Sequence, residues 1–171
     1  MNAAACSATL AESHIRILRS SILWKNRPIT AEALPGGLTN RNYLVRSGLH
    51  SYVARFGFSL NSLLGIDREK EILNTTRAAG RGLGPDVVGY FPKHRLLIVR
   101  YIEGVVSDKP RAREAEHIVL VARLLRTLHA EGPWCVNSRN VFKDIKEYVA
   151  QAHKRDSWIP ENTVEYFRTL R

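Results

Sequence analysis

The chain has 171 residues, of which 44% are hydrophobic and 25% are charged, and its formal net charge is +10. This composition is typical of a globular protein, and it excludes wholesale disorder, collagen-like repeats and a bundle of membrane helices. The charge is spread along the chain, at +2 over residues 1–40, +5 over 41–110 and +3 over 111–171. Nucleic-acid-binding proteins usually concentrate Lys and Arg in one patch, so we expect no nucleic-acid partner.

Two further global features concern location. Cys6 and Cys135 are the only cysteines, which is too few for a disulfide framework and favours a reducing, cytoplasmic setting. No window of 18 apolar residues occurs, so we expect no membrane span.

The N-terminal segment resembles either an organellar transit peptide or an amphipathic helix. A capping box of Thr9 and Glu12 favours a helix, whose apolar face would carry Leu10, Ile17, Leu18 and Ile22.

The first half of the chain has the patterns of strands. Alternating residues predict a three-stranded antiparallel meander with strands at 29–33, 42–46 and 51–56, separated by glycine-containing turns. A helix is predicted over 66–80, where the glycines of Gly80-Arg81-Gly82-Leu83-Gly84 end it. A second hairpin follows, with strands over the ranges 87–91 and 96–102.

The second half of the chain is predicted to be helical. An apolar stripe over 118–128 is widened by Val119, Leu120 and Leu124, so we expect this helix to be buried on most sides. Residues 141–152 predict a second helix. A third is expected from Ser157 onward, carrying Val164, Phe167 and Leu170.

Residues 34–45 are the most informative segment, Leu-Pro-Gly-Gly-Leu-Thr-Asn-Arg-Asn-Tyr-Leu-Val. A glycine pair between two strands lets the backbone approach a polyphosphate closely, although an ordinary hairpin turn has the same composition. Arg55 then lies inside an apolar strand and needs an anionic partner or access to solvent. The following helix offers the carboxylates of Glu69 and Glu71, although a solvated helix face is the alternative for Glu71. A strand cation held by a helix carboxylate beside a glycine loop is the arrangement with which kinases orient ATP phosphates.

Together these segments resemble the choline/ethanolamine kinase family, within the aminoglycoside-phosphotransferase and protein-kinase-like group. The residues that carry the resemblance are 36–43, 52–56, 67–72, 83–85, 99–104, 124–129 and 140–145. The resemblance implies an α+β fold with a protein-kinase-like N-lobe, made of a five-stranded antiparallel sheet and one helix. This nucleotide-binding lobe with its leading helix would span 1–103. Residues 104–171 would begin a helical C-lobe that is incomplete in this chain.

The resemblance also implies roles for individual residues. Arg55 would take the place of the phosphate-orienting lysine of protein kinases, with Glu71 as its helix partner. The Arg100 carbonyl and the Ile102 N–H would contact adenine. The phosphate-side loop would comprise Gly36, Gly37, Leu38, Thr39, Asn40 and Asn42.

One large departure from the family concerns the chemistry. The family's catalytic loop, His-x-Asp-x-x-x-x-Asn, and its later magnesium-binding Asp have no counterpart in this sequence, and the nearest case is His129-Ala130-Glu131. We therefore assign no catalytic residue and no metal ligand. ATP is the expected cofactor, and Mg²⁺ is expected for the complete enzyme with ligands that are not in this chain.

The resulting hypothesis is an ATP-dependent phosphotransferase of the choline/ethanolamine kinase type that phosphorylates a small alcohol and is inactive as this chain alone. Its partners would be ATP and an amino alcohol, choline or ethanolamine, which the glycine loop favours over thiamine or an aminoglycoside. The alternative is a truncated pseudoenzyme that acts as a nucleotide-binding or protein-interaction module. A third hypothesis, a nucleic-acid-binding protein, is supported only by the net positive charge.

Overall fold

The fold combines one antiparallel sheet with helices before, between and after its strands. The computed structural model describes residues 3–25, 27–35, 37, 39–58, 65–108, 110–131, 135–136, 140–160, 162–163 and 165, with side chains from residue 11 onward. In chain order the helices and strands are α1 (Ala3–Ser20), β1 (Thr30–Leu34), β2 (Asn40–Ser47), β3 (His50–Gly57), α2 (Arg68–Ala79), β4 (Val87–Phe91), β5 (Leu96–Arg100), α3 (Ala115–Glu131) and α4 (Val141–His153). Short 3₁₀ turns occur at Ile22–Trp24, Pro92–His94 and Arg111–Arg113.

The sheet has five strands in the order β1-β2-β3-β5-β4, and every neighbouring pair is antiparallel. The meander β1-β2-β3 and the hairpin β4-β5 were both predicted, and the α+β class with a five-stranded sheet is confirmed. β5 lies inside the sheet because Leu96-Leu97-Ile98-Val99 is apolar on both faces and is buried throughout. β4 lies at the edge, where Gly89 marks a shift in its pairing with β5.

One face of the sheet is covered by α1 and the 3₁₀ turn that follows it. Leu18 of α1 and Trp24 of the turn are buried against a layer of side chains that alternate along β2, β3 and β5. That layer contains Tyr43, Val45, Ala54, Phe56, Leu96 and Ile98. The removal of this apolar surface from water is the main stabilising contribution of the N-terminal helix.

The opposite face of the sheet carries α2. Asn42, Leu44, Val53, Arg55 and Leu97 point to this side, because they alternate with the residues of the α1-covered layer. Most of this face is apolar, and Arg55 is the cation that it presents toward α2. The α1-covered face therefore stabilises the sheet, while the α2 face holds the charged groups.

Several predicted boundaries need correction. α1 begins at Ala3, so Thr9 lies inside the helix and the capping box with Glu12 does not form its N-terminus. Ile22 belongs to the separate 3₁₀ turn. β5 ends at Arg100, which places Ile102 beyond the strand and not within it.

The prediction that α3 is buried on most sides is wrong. Its apolar side chains, including Val119, Leu120 and Leu124, are about half exposed in the part of the chain that the structure describes. The apolar stripe identifies a helix that can be buried, but burial also requires a second surface to pack against. Val141 and Phe142 of α4 are similarly exposed. Of the predicted third helix, Thr163 and Glu165 are helical, and Val164, Phe167 and Leu170 lie outside the described residues.

A hydrogen bond ties α2 to the segment that follows α3. The Val136 N–H donates to the Asn74 side-chain oxygen at 3.0 Å. Within the described residues, no helix is both long and apolar enough to cross a membrane.

His14 packs α1 onto the sheet and titrates abnormally. Its ring stacks on Phe56 with centroids 3.9 Å apart, and its Nδ1 lies 3.1 Å from the Tyr43 hydroxyl oxygen. Burial lowers the pKa of His14, and the charge of Arg41 lowers this pKa further. Protonation of the ring therefore favours the unfolded chain.

We expect the free energy of unfolding to decrease as the pH falls below the ordinary histidine pKa of 6.5. In that range the unfolded chain binds a proton at residue 14 that the folded chain does not, and each unit of pKa difference is worth about 1.4 kcal/mol. Urea unfolding at a series of pH values measures this slope. His14→Gln removes the titrating group and should flatten the slope, so equal slopes for variant and wild type would contradict the assignment.

Candidate functional site

The connection between β1 and β2 turns tightly at a glycine. Gly37 has φ +95°, a conformation that L side chains rarely adopt. A Cβ at this position would lie 2.5 Å from the Asn40 carbonyl oxygen and 3.1 Å from Asn42 Nδ2. The backbone here therefore folds back on the start of β2, and only glycine leaves space for it. Gly36 and Leu38, the other predicted members of the phosphate-side loop, lie outside the described residues.

Arg55 and Glu71 form an ion pair on the α2 face of the sheet. Arg55 Nη2 lies 3.0 Å from Glu71 Oε1, and both side chains are largely shielded from solvent. Arg55 is also the cross-strand partner of Asn42, which places the guanidinium next to the glycine turn. The two residues singled out from the sequence as a strand cation and a helix carboxylate are thus brought together.

The start of α2 determines where Glu71 points. The Asp67 side chain accepts hydrogen bonds from the backbone N–H groups of Glu69 and Lys70, so the helix begins at Arg68. These contacts, with the Lys70 N–H as the largest, hold the pKa of the Asp67 carboxyl below its ordinary value. Glu71 then lies in the first turn, close to the sheet.

Arg68 belongs to the same cluster, and the sequence reasoning missed it. Its Nη1 donates to Glu71 Oε2, so the carboxylate bridges two guanidinium groups. Its Nη2 donates to Asn40 Oδ1 at 2.6 Å and lies 3.4 Å from the Thr39 carbonyl oxygen. The available signal was the spacing of three residues between Arg68 and Glu71, which places both on one helix face. The charged run around them instead suggested a solvated surface.

The cluster has the chemistry of an anion site. Two guanidinium groups share one carboxylate, which leaves one positive charge beside the glycine turn. The side-chain oxygen of Asn42 is buried there without a hydrogen-bond partner among the described residues. Arginine forks and a tight glycine turn are the groups with which proteins bind phosphate oxygens.

The predicted adenine-contacting residues lie at the end of β5. The Arg100 N–H donates to the Asp86 carbonyl oxygen at 2.9 Å, and the guanidinium lies over the ring of Tyr52 at 5.8 Å from its centroid. Ile102 follows the strand and is mostly exposed. Arg55 pairs with Leu97, so Arg100 is three residues further along β5, roughly 10 Å at 3.3 Å per residue.

Metal ligands are a separate matter. In the ranges that the structure describes, no group of three or more His, Cys, Asp or Glu residues could hold a metal ion. The carboxylate of the cluster, that of Glu71, is engaged by two arginines. The fit of the cluster is therefore to phosphate oxygens and not to a metal ion.

Comparison of the sequence with models of protein families identifies the family of this chain. The model of the phosphotransferase enzyme family matches residues 30–169. The chain belongs to this family. No curated protein sequence matches the chain significantly.

Solved structures of other phosphotransferases share the fold. The choline kinase LicA from Streptococcus pneumoniae aligns with a TM-score of 0.71 and 24% identity, over 91% of this chain and 52% of that chain. A choline/ethanolamine kinase family protein from Mesorhizobium loti aligns with a TM-score of 0.69 and 21% identity, over 94% of this chain and 51% of that one. LicA in complex with AMP gives a TM-score of 0.65 and 24% identity, over 81% and 47%. The chain therefore spans about half the length of the kinases that it matches.

Substitution of Gly37 tests the tight turn between β1 and β2. Gly37→Ala should lower the free energy of unfolding by about 2–3 kcal/mol, because it combines a positive φ with a clash against backbone. Gly48→Ala is the matched control, since Gly48 also has a positive φ, +58°, but open space around it. The control should cost about 1 kcal/mol. Denaturant unfolding measures both values, and equal losses would show that the contact with Asn40 is unimportant.

Proposed function

We propose that this chain binds ATP on the α2 face of its sheet, as the nucleotide-binding part of a phosphotransferase of the choline/ethanolamine kinase type. The observation that carries the proposal is the Arg55–Glu71 ion pair beside the Gly37 turn. The pair fixes a cation where the backbone can approach a ligand closely. Membership of the phosphotransferase family supports the same chemistry.

The phosphates would bind at the glycine turn. In kinases, phosphoryl transfer is catalysed almost entirely by positioning and electrostatic stabilisation, so a fixed cation is the central requirement. Glu71 holds the Arg55 guanidinium in one orientation, and the second arginine prevents the carboxylate from neutralising the site. We infer that Gly36, Gly37, Leu38, Thr39, Asn40 and Asn42 form the phosphate-side loop.

The adenine ring would bind at the end of β5, through the Arg100 carbonyl and the Ile102 N–H. Arg100 and Arg55 lie on neighbouring strands and are separated along them, as the two ends of an extended nucleotide require, and Ile102 follows just beyond the end of β5. That LicA has been solved in complex with AMP supports an adenine nucleotide as the ligand. In this arrangement residues 1–103 form the nucleotide-binding lobe and 104–171 begin the helical lobe.

The acceptor would be a small amino alcohol, choline or ethanolamine, as the names of the structural neighbours suggest. The complete reaction transfers the γ-phosphoryl group of ATP to the acceptor hydroxyl, with Mg²⁺ neutralising charge on the phosphates. Neither the His-x-Asp-x-x-x-x-Asn loop nor a later magnesium-binding Asp occurs in this sequence. We therefore assign this chain nucleotide binding and not turnover, and we propose the cytoplasm, where ATP is available, as its location.

A second candidate function rests on a different observation. The apolar side chains of α3 and α4 are about half exposed in the described residues. Exposed apolar surface of this kind marks interaction sites, which favours a nucleotide-binding or protein-interaction module as the alternative. The two candidates share the nucleotide site. They differ in whether the bound ATP serves phosphoryl transfer in a complete enzyme or the chain acts only as a binding module.

The phosphate contact can be tested by substitution of Arg55. Arg55→Gln should raise the Kd for ATP about tenfold, the effect of losing one charge-assisted hydrogen bond, and leave the Kd for adenosine unchanged. The matched control is Arg46→Gln. Arg46 also pairs with a glutamate, Glu32, at 3.1 Å, but that pair is about half exposed and lies at the other end of β2. Calorimetric titration of both variants measures the difference, and an equal loss would indicate non-specific attraction to a basic surface.

An assay of ATP turnover complements the binding test. The purified chain, incubated with ATP, Mg²⁺ and choline or ethanolamine, should form no ADP above the buffer rate, because it lacks a catalytic base. A coupled assay for ADP measures this rate. Sustained ADP formation that Arg55→Gln abolishes would show that the chain supplies its own catalytic groups.

A further inference from the structure

We propose that Arg68 is a positioning residue that fastens the phosphate-side loop to Glu71, and that it thereby holds the loop and Arg55 in one arrangement. This inference rests on the proposed nucleotide site. Arg68 itself points toward the loop and the carboxylate and is not placed against a ligand. Its role is to determine where other groups lie.

The contacts of Arg68 join two separate parts of the site. One terminal nitrogen, Nη1, donates to the Glu71 carboxylate on α2. The other, Nη2, donates to the Asn40 side-chain oxygen at 2.6 Å, where the loop enters β2. The sequence separation between Arg68 and Asn40 is 28 residues, so this bond is a tertiary link between the helix and the loop.

The Glu71 carboxylate is held from both sides. One of its oxygens forms an ion pair with Arg55 and the other accepts a hydrogen bond from Arg68. With both oxygens engaged, the carboxylate cannot rotate without breaking a charge-assisted bond. The position of the Arg55 guanidinium therefore depends on Arg68, because Glu71 joins the two arginines.

The surroundings of Arg68 are shaped for a guanidinium. A Cβ on Gly57 would lie 2.7 Å from Arg68 Nη2 and 2.9 Å from Cζ, so the planar group lies directly over the Gly57 backbone. Gly57 is also the β3 partner of Asn40. The Arg68 side chain is only 17% exposed, and Asn40 is 7% exposed. Loss of the guanidinium would leave the Asn40 oxygen buried without this partner, which disfavours the present loop position.

Lysine cannot replace this arginine. A guanidinium presents separate nitrogens in a fixed fork, so that it reaches Glu71 and Asn40 at the same time. An ammonium is a point charge at the end of a flexible chain, and it can satisfy one of the two partners in good geometry. A role that required only positive charge would tolerate lysine, whereas a bridging role would not.

The first experiment measures amide hydrogen exchange of the nucleotide-free chain at residues 39–42. Arg68→Gln and Arg68→Lys should both raise exchange there about tenfold, the factor expected for the loss of one hydrogen bond to a charged group. Exchange in β5 should remain at the wild-type rate and serves as the reference for intact folding. Arg81→Gln, which removes the same charge from the exposed turn after α2, is the matched control and should match wild type throughout. Wild-type exchange at 39–42 in both Arg68 variants would overturn the proposal.

A second pair of variants covers the case in which the Arg68 variants do not fold. Asn40→Asp keeps an acceptor for Arg68 and should exchange at 39–42 no faster than wild type. Asn40→Ala removes the acceptor and should exchange about tenfold faster. Equal exchange in the two variants would overturn the link between Arg68 and Asn40.

Nucleotide titration separates this inference from the proposed function. If both hold, Arg68→Lys raises the Kd for ATP about tenfold and leaves the Kd for adenosine unchanged. If the wild-type chain binds neither ligand, the proposed function fails, and the exchange data still decide whether Arg68 fastens the loop. If ATP binding is unchanged while exchange rises, Arg68 fastens the loop, but the loop does not contact the phosphates and its assigned role in phosphate binding is overturned.

Discussion

The arrangement of the candidate site depends on one carboxylate, that of Glu71, placed between two guanidinium groups. Such a group is stable away from water only because each of its oxygens is paired, and the pairing fixes three side chains at once. The sheet supplies Arg55, and the start of α2 supplies both Arg68 and Glu71. The Asp67 cap determines which residue begins the helix, and therefore which residues face the strands.

The two faces of the sheet have different roles in the fold. α1 covers one face with aliphatic and aromatic contacts, in which His14 stacks on Phe56. The other face retains Arg55 and Asn42, which a fully apolar packing would exclude. The stability supplied by the first face permits the second to hold an excess positive charge. The spread of charge along the sequence is consistent with this, because the two arginines of the cluster come from separate segments.

The strands were predictable because their apolar residues alternate and glycines mark the turns. The pairing of Arg55 with Glu71 was implied by the resemblance to the kinase family, since the residues alone left Glu69 and a solvated helix face as alternatives. Other features depend on contacts that a local pattern does not contain. The apolar stripe of α3 indicated burial, but no covering surface lies over it among the described residues. The role of Arg68 was not predicted, because a charged run on a helix usually faces solvent. The tertiary contact with Asn40 distinguishes Arg68 from a solvated surface arginine.

The close approach of Arg68 to Gly57 makes the residue at one of these positions depend on the residue at the other. Any side chain at 57 would occupy the space that the guanidinium fills, and that space lies against backbone that belongs to the β2–β3 ladder. A relative with a residue larger than glycine at position 57 must therefore lack the arginine at position 68 or direct its side chain elsewhere. The two positions are expected to vary together among homologues, and this pairing distinguishes chains that keep the fastened loop from those that have released it.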